Sequence, residues 1–356
     1  MKIFRTFVFA LTVLLVVNVS AQSVSTIDAN IRTQIIEAVI KRFNQSYVFP
    51  EVAKEMEKSI RERLKKGEYD KITDASEFAK TLKANLREVS QDTHIEVVFS
   101  PRPLPPMSEV EQAETQAERE KRQRDYGRIN NGFLKVERLQ GNIGFLDIDL
   151  FVDPIFAGET ATAAMNFLSN TDALIIDLRY CPGGNGGMVA FLSTYFFSEQ
   201  IHLSDYFQRE ENITKQSWTL PFVSGKRYLN KDIFILTSSK THSAAEAFAY
   251  NLQSLNRAVI IGETTKGGAH TIKRYRLNEN FAVQVPVGRS INAVTKTNWE
   301  GKGVTPKLQV TADKAFKLAH LTALKSLLQK NPNQENADEI KQIIEKFEKE
   351  LTEKTN

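Results

Sequence analysis

Ser243 is the residue whose surroundings point most directly to chemistry. It follows the run DIFILTSSKTH (232–242) and precedes AAEAFAYNLQ. A buried strand therefore ends near Leu236, a Ser/Thr-rich turn follows, and a helix begins at about Ala244. The first turn of a helix carries unpaired N–H groups and the positive end of the macrodipole. A serine hydroxyl placed there could serve as a nucleophile, with the N–H of Ala244 meeting the oxyanion of its adduct. The same position equally suits a serine that only caps the helix. A second stretch, ALIIDLRYCPGGNGG (173–187), runs from a strand through a Pro-Gly-Gly turn into another helix. Backbone N–H groups at Gly183 and Gly184 would lie at the C-terminal edge of a sheet, where α/β proteins bind ligands. They could hold an anion or form half of an oxyanion hole, or simply make a tight turn. The turn lacks the Lys-Ser/Thr ending of a phosphate loop and the glycine spacing of a dinucleotide fold.

Other reactive side chains are few. His242 adjoins Ser243, but neighbours on an extended turn point opposite ways, so a packed or solvated ring is expected. His270 follows Gly267-Gly268-Ala269 and either lines a cleft or is structural; His202 and His320 have no chemical neighbours in sequence. Cys181, the single cysteine, lies beside the glycine turn with no histidine pattern to make it a nucleophile. No H-E-x-x-H or C-x-x-C spacing occurs, so neither a metal nor a cofactor is expected.

The elements that must position these residues follow from periodicity. Ile31, Ile35, Ile36, Val39, Ile40 and Phe43 recur at helical spacing, as do Val52, Met56, Ile60 and Leu64 after Pro50, and Phe78, Leu82 and Leu86 after Thr73-Asp74. HIEVVFS (94–100) alternates as a strand does, and PRPLPPM ends it. Residues 109–128 mix Glu, Gln, Lys and Arg with few apolar residues, which predicts a solvated helix or connection; a lid is the sharper alternative. From Gly132 onward, strands in NIGFLDIDLF, ALIIDLR, DIFILTSS, RAVIIGE and NFAVQVPVG alternate with helices over 155–169, 187–198 and 244–255. Such alternation predicts an α/β core with a largely parallel sheet. Two further helices, 314–329 and 337–352, complete the chain.

Composition narrows the class. The 356 residues carry 47 Lys+Arg against 43 Asp+Glu, an excess too small to argue for nucleic acid. Lys2 and Arg5 precede an apolar run from Thr6 to Val17, and Val19-Ser20-Ala21 offers a cleavage site. This is the pattern of a secretory signal peptide, too short for a spanning helix. An exported chain, periplasmic or secreted, with no membrane segment once mature, is the expectation. With one cysteine it has no internal disulfide, and its stability must come from its core. The expected organisation is a signal peptide (1–21), a helical N-terminal domain ending in a strand (22–100), a charged linker or lid (101–131), an α/β domain (132–312) and C-terminal helices (313–356).

Four motifs in order give the chain a family likeness. D-L-R-x-x-P-G-G (177–184), T-S-x-x-T-x-S-A-A-E (237–246), R-A-x-x-x-G-E-x-T-x-G-G-A-H (257–270) and G-K-G-V-x-P (301–306) resemble those of the C-terminal processing peptidases, the tricorn core peptidase and the repeats of interphotoreceptor retinoid-binding protein. The resemblance implies a Clp-protease/crotonase-like serine peptidase domain, with Ser243 as nucleophile and Gly183, Gly184 and Ala244 as the oxyanion hole. The processing branch uses a lysine base in a G-K-G setting. Here the matching position is Gly268; Lys266 lies two residues away, and that shift along a strand displaces a side chain by about 6–7 Å. The tricorn-like branch uses His–Ser–Glu instead. Asp92-Thr93-His94 matches its D-x-H turn, and Glu300, 57 residues beyond Ser243, matches its acid. The resemblance thus implies His94 as general base and Glu300 as polar support, directly or through another group. The span between Ser100 and Asn131 is too short for the PDZ domain of the processing branch, since domains below about 40 residues rarely fold without staples.

The leading expectation is an exported serine endopeptidase acting on oligopeptides or misfolded proteins through an acyl-enzyme. The rival is a non-catalytic binder of a small apolar molecule on the same fold, as the retinoid-binding relatives imply. A coenzyme-A hydratase on the related fold is disfavoured, because export separates the protein from its cofactor.

Overall fold

The computed structural model describes residues 26–105 and 115–353; the expected signal peptide lies outside the described residues. Two sheets organise the chain. The first has six strands in the order β11-β8-β7-β4-β3-β2, comprising β2 (Phe133–Leu139), β3 (Ile143–Ile148), β4 (Ala173–Asp177), β7 (Asp232–Thr237), β8 (Val259–Gly262) and β11 (Leu308–Gln309). All pairs are parallel except the β2–β3 hairpin. Its central strands are mainly apolar because both faces are covered, with acidic residues confined to or near their ends. Leu174, Ile176, Ile233 and Ile235 point into one core beneath helices α5 (Pro154–Leu168), α6 (Gly186–Thr194) and α7 (Ala244–Ser254). The alternate residues Ala173, Ile175, Phe234 and Leu236 point into another, beneath α8 (Ala312–Lys330) and α9 (Ala337–Glu353).

The second sheet is antiparallel and centres on the long strand β10 (Phe281–Asn292). This pairs with β1 (Glu96–Phe99) at its start, β9 (His270–Arg276) along most of its length and β5 (His202–Gln208) at its end. β6 (Ile213–Trp218) completes it as the partner of β5. Helices α1 (Ala29–Ser46), α2 (Pro50–Lys65) and α3 (Ala75–Ser90) pack on this sheet through the predicted faces. Ile36, Phe43, Met56, Ile60, Phe78 and Leu82 share one core with Tyr275, Phe281, Val283, Val285 and Val287. Because β1 is hydrogen-bonded to β10, the helical N-terminal segment is built onto the second sheet, and residues 92–94 lie just before the start of β1 against that sheet.

The charged segment forms helix α4 (Gln116–Arg128), with no buried residue and a Thr115/Glu118 capping box. Among the described residues no helix is long and apolar enough to cross a membrane.

Candidate active site

Strands β4 and β7 are parallel neighbours, and the two turns singled out by sequence leave their C-terminal ends side by side. The turns are knitted together. Thr241 Oγ1 donates to the Leu178 carbonyl at 2.8 Å, the His242 N–H to the Cys181 carbonyl at 3.1 Å, and the Ser238 hydroxyl to the Arg179 carbonyl. Arg179 is pinned in turn by both oxygens of the buried Asp177 carboxylate.

Ser243 stands at the junction with α7, with φ 55° and ψ −120°. A non-glycine residue with positive φ costs about 1–3 kcal/mol and persists only where its surroundings enforce it. Glu246 does the enforcing. This carboxylate is fully buried and accepts the Ser243 N–H at 2.7 Å, the Thr265 hydroxyl at 2.6 Å, and the N–H groups of Gly267 and Gly268 at 2.6 and 2.9 Å. One side chain thus fixes both the serine elbow and the 265–268 loop opposite it. In sequence, Glu246 is marked only by its place three residues after a helix-capping serine, the capping-box signal. Glu246→Ala would strand several buried donors, each costing about 1–3 kcal/mol. We expect chemical denaturation to show a stability loss of about 3–5 kcal/mol.

The glycine turn lies against the serine. A Cβ on Gly183 would fall 2.8 Å from Ser243 Cβ and 2.9 Å from the Ala244 nitrogen, and Gly183 and Gly184 take φ of 108° and 132°. The bonds anchoring this turn to residue 151 use the Gly183 carbonyl and the Asn185 N–H, not the N–H groups of the two glycines. Gly184, Ser243, Ala244 and Gly268 line one cavity of about 350 Å³, with Ser204, Tyr206, Ser217 and Ser290 from the second sheet across from them.

His94 comes from the second sheet. Helix α3 ends in the left-handed Gln91, the Asp92 carboxylate accepts the His94 N–H at 2.9 Å, and Gln284 of β10 donates to the His94 carbonyl at 2.8 Å. The imidazole Nδ1 lies 3.1 Å from Asp92 Oδ1 and 3.2 Å from Glu300 Oε1. Glu300 itself is aimed by the Ala269 and His270 N–H groups, at 2.6 and 3.2 Å from its Oε2. The contact between Glu300 and His94 is therefore direct. The other ring nitrogen, Nε2, faces Gly268, where an added Cβ would sit 3.1 Å away, on the cavity wall shared with Ser243. Among the described residues no hydrogen bond joins Ser243 to His94; such bonds often tighten only when substrate is bound.

Burial works against a charged imidazole at His94, but its hydrogen bonds to the Asp92 and Glu300 carboxylates outweigh that and raise the pKa to about 9. Burial also opposes ionisation of Asp92, yet His270 and His94 hold its carboxyl well below the usual carboxylate range.

The remaining residues sort plainly. His242 is half-buried, and its ring stacks on that of His94 at 6.2 Å and 19°; it forms part of the site wall, and burial and the Lys266 charge lower its pKa. Lys266 stays exposed while its N–H donates to the Thr241 carbonyl. His270 reaches into the site, with Nδ1 3.0 Å from Asp92 Oδ2. Cys181 is buried and free, and burial pushes its thiol up to about 12, so it remains a neutral packing residue. His202 stacks on Trp218, and His320 contacts the Gln140 carbonyl, both away from this site.

The motifs and the architecture have counterparts among known proteins. A model of peptidase family S41 matches residues 142–310, and one of the N-terminal domain of peptidase S41 in eukaryotic IRBP matches residues 19–128. A carboxy-terminal-processing protease of Bartonella bacilliformis is 27% identical over 193 residues, covering 51% of this chain and 43% of that protein. The chain thus aligns with less than half the length of this curated relative. Among solved structures, a candidate peptidase from Parabacteroides merdae superposes with a TM-score of 0.59 at 17% identity, covering 82% of this chain and 96% of that one. The photosystem II D1 C-terminal processing protease gives 0.51 at 14% identity, with coverage of 79% and 93%. The tricorn protease gives 0.52 at 12% identity, with coverage of 85% and 37%. These likenesses show a shared fold. With the two family models together spanning more than half of its length, the chain belongs to peptidase family S41.

Proposed function

We propose that the protein is an exported serine endopeptidase that cleaves peptide bonds through an acyl-enzyme. The observation that carries this reading is the strained Ser243, held between the Gly183-Gly184 turn and the cavity wall at which His94 Nε2 points. In this mechanism Ser243 Oγ attacks the scissile carbonyl while His94 Nε2 accepts its proton. Asp92 and Glu300 take the Nδ1–H, fixing the tautomer and stabilising the imidazolium. The oxyanion is met by N–H groups of Gly183, Gly184 and Ala244. His94 then protonates the leaving amine, and water, activated by the same imidazole, releases the acyl group.

Ser204, Tyr206, Ser217 and Ser290 offer hydroxyls to a peptide backbone, beside the apolar Val189, Ala247 and Trp299, which could receive a substrate side chain. The signal-peptide pattern at 1–21 supports the reading of an exported protein. An activated ester substrate should give a burst of about one equivalent of leaving group per chain, the kinetic mark of an acyl-enzyme. Linear release without a burst, at a rate unchanged in Ser243→Ala, would contradict the reading. Gly183→Ala places a methyl against Ser243 and Ala244 in a conformation that disfavours it. We expect kcat to fall by about 10^2–10^3-fold, the usual loss for a disabled oxyanion donor, as read from steady-state kinetics.

A further inference from the structure

We propose that Asp92, His94, His270 and Glu300 form a four-coordinate site for one late first-row divalent cation, Zn(II) above all, and that its occupancy switches the peptidase off. The four side chains alternate in a closed ring. His94 Nδ1 lies 3.1 Å from Asp92 Oδ1 and 3.2 Å from Glu300 Oε1; His270 Nδ1 lies 3.0 Å from Asp92 Oδ2 and 3.7 Å from Glu300 Oε2. One donor atom from each residue falls within 4.8 Å of the others. A tetrahedral ion with bonds of about 2.0–2.2 Å holds its ligand atoms about 3.3–3.6 Å apart, so small rotations of these side chains would close the cage.

The donor set also balances in charge and type. Two carboxylates and two neutral imidazoles sum to the charge a divalent cation neutralises, and imidazole donors select zinc and its neighbours over magnesium or calcium. The outer contacts needed to hold such ligands are in place. The Tyr47 hydroxyl donates to Asp92 at 3.2 Å, and the Ala269 and His270 N–H groups donate to Glu300. Access comes through a cavity of about 450 Å³ lined by Asp92, His270, Glu300, Tyr47 and Phe49. No short-spacing motif could reveal this site, since its ligands come from residues 92–94, 270 and 300.

The inhibitory consequence rests on the peptidase reading. In the working enzyme the Nδ1 proton of His94 faces the carboxylates and Nε2 offers its lone pair to Ser243. A metal on Nδ1 displaces that proton, to Nε2 from the neutral ring or to solvent from the imidazolium, and either way leaves Nε2 protonated. The ring then presents a donor to the serine and cannot act as its base.

The test is calorimetric titration of chelator-dialysed protein with ZnCl2. One ion should bind per folded wild-type chain, with affinity at least tenfold weaker in His270→Ala and in the conservative His270→Gln; MgCl2 at the same concentration should give no binding. Co(II) added to the wild type should show the intense visible bands of a four-coordinate site, a readout that needs no variant to fold. Zinc should block turnover of the wild type, and EDTA should restore it. Absence of zinc binding by folded wild type, undiminished affinity in a folded His270 variant, or only the weak spectrum of six-coordinate Co(II) would overturn the proposal. If zinc binds as stated while metal-free protein shows no serine-dependent turnover, the peptidase reading fails and the metal site stands.

Discussion

Ser243→Ala is expected to lower kcat for peptide hydrolysis by on the order of 10^4-fold or more, the scale seen when a serine nucleophile is removed from an otherwise intact site. Residual activity should come only from the oxyanion donors and substrate binding. Loss of the hydroxyl removes a helix cap at the start of α7, a cost of about 0.5–2 kcal/mol, so the fold should persist, as circular dichroism and thermal melting can verify. Steady-state kinetics on a peptide substrate read the effect. A variant retaining more than a tenth of wild-type turnover would show that Ser243 is not the nucleophile.

His94→Ala should cost about 10^2–10^4-fold in kcat/KM, the range for a general base. The wild-type pH profile should reveal the same group. Because the pKa of His94 is raised to about 9, the base form grows as pH rises through that value. Activity in EDTA-containing buffer should therefore climb from neutral pH toward an alkaline plateau above about 9. The stability linkage has the opposite sign. A histidine raised above its unfolded value of about 6.5 contributes stability that is fully present below that pH and fades as pH passes its folded pKa. Glu300→Gln removes one of the two carboxylates on Nδ1, so the activity profile of that variant should move to lower pH. A profile that stays in place would mean that Glu300 does not act on the base.

Much of this arrangement is visible in sequence because it is local. The strand–turn–helix containing Ser243, the glycine turn, and the apolar runs of β3, β4, β7, β8 and β10 each follow from contiguous residues whose periodicity reports burial. The hairpin β5–β6 is not visible in that way. HLSDYFQ and ITKQSW are partly exposed and polar, so neither strand presents the apolar pattern by which a strand is recognised, yet Ser204, Tyr206 and Ser217 line the cavity. The position of His94 is also non-local. Its D-x-H turn matches a family element, but the carboxylate–imidazole ring depends on β1 pairing with β10, and Asp92 meets His270 across 178 residues. Periodicity says nothing about such a meeting. Glu246 lies between these cases: its spacing from Ser243 marks a capping box, whereas its hold on Thr265, Gly267 and Gly268 appears only in three dimensions.

Whether Ser243 is an activated nucleophile is read by labelling with a fluorophosphonate probe, followed by intact-mass measurement and peptide mapping. One adduct per chain is expected, located on Ser243, absent from Ser243→Ala and formed more slowly in His94→Ala. A folded, metal-free wild type that takes up no probe, or a Ser243→Ala variant labelled as readily as the wild type, would contradict that role.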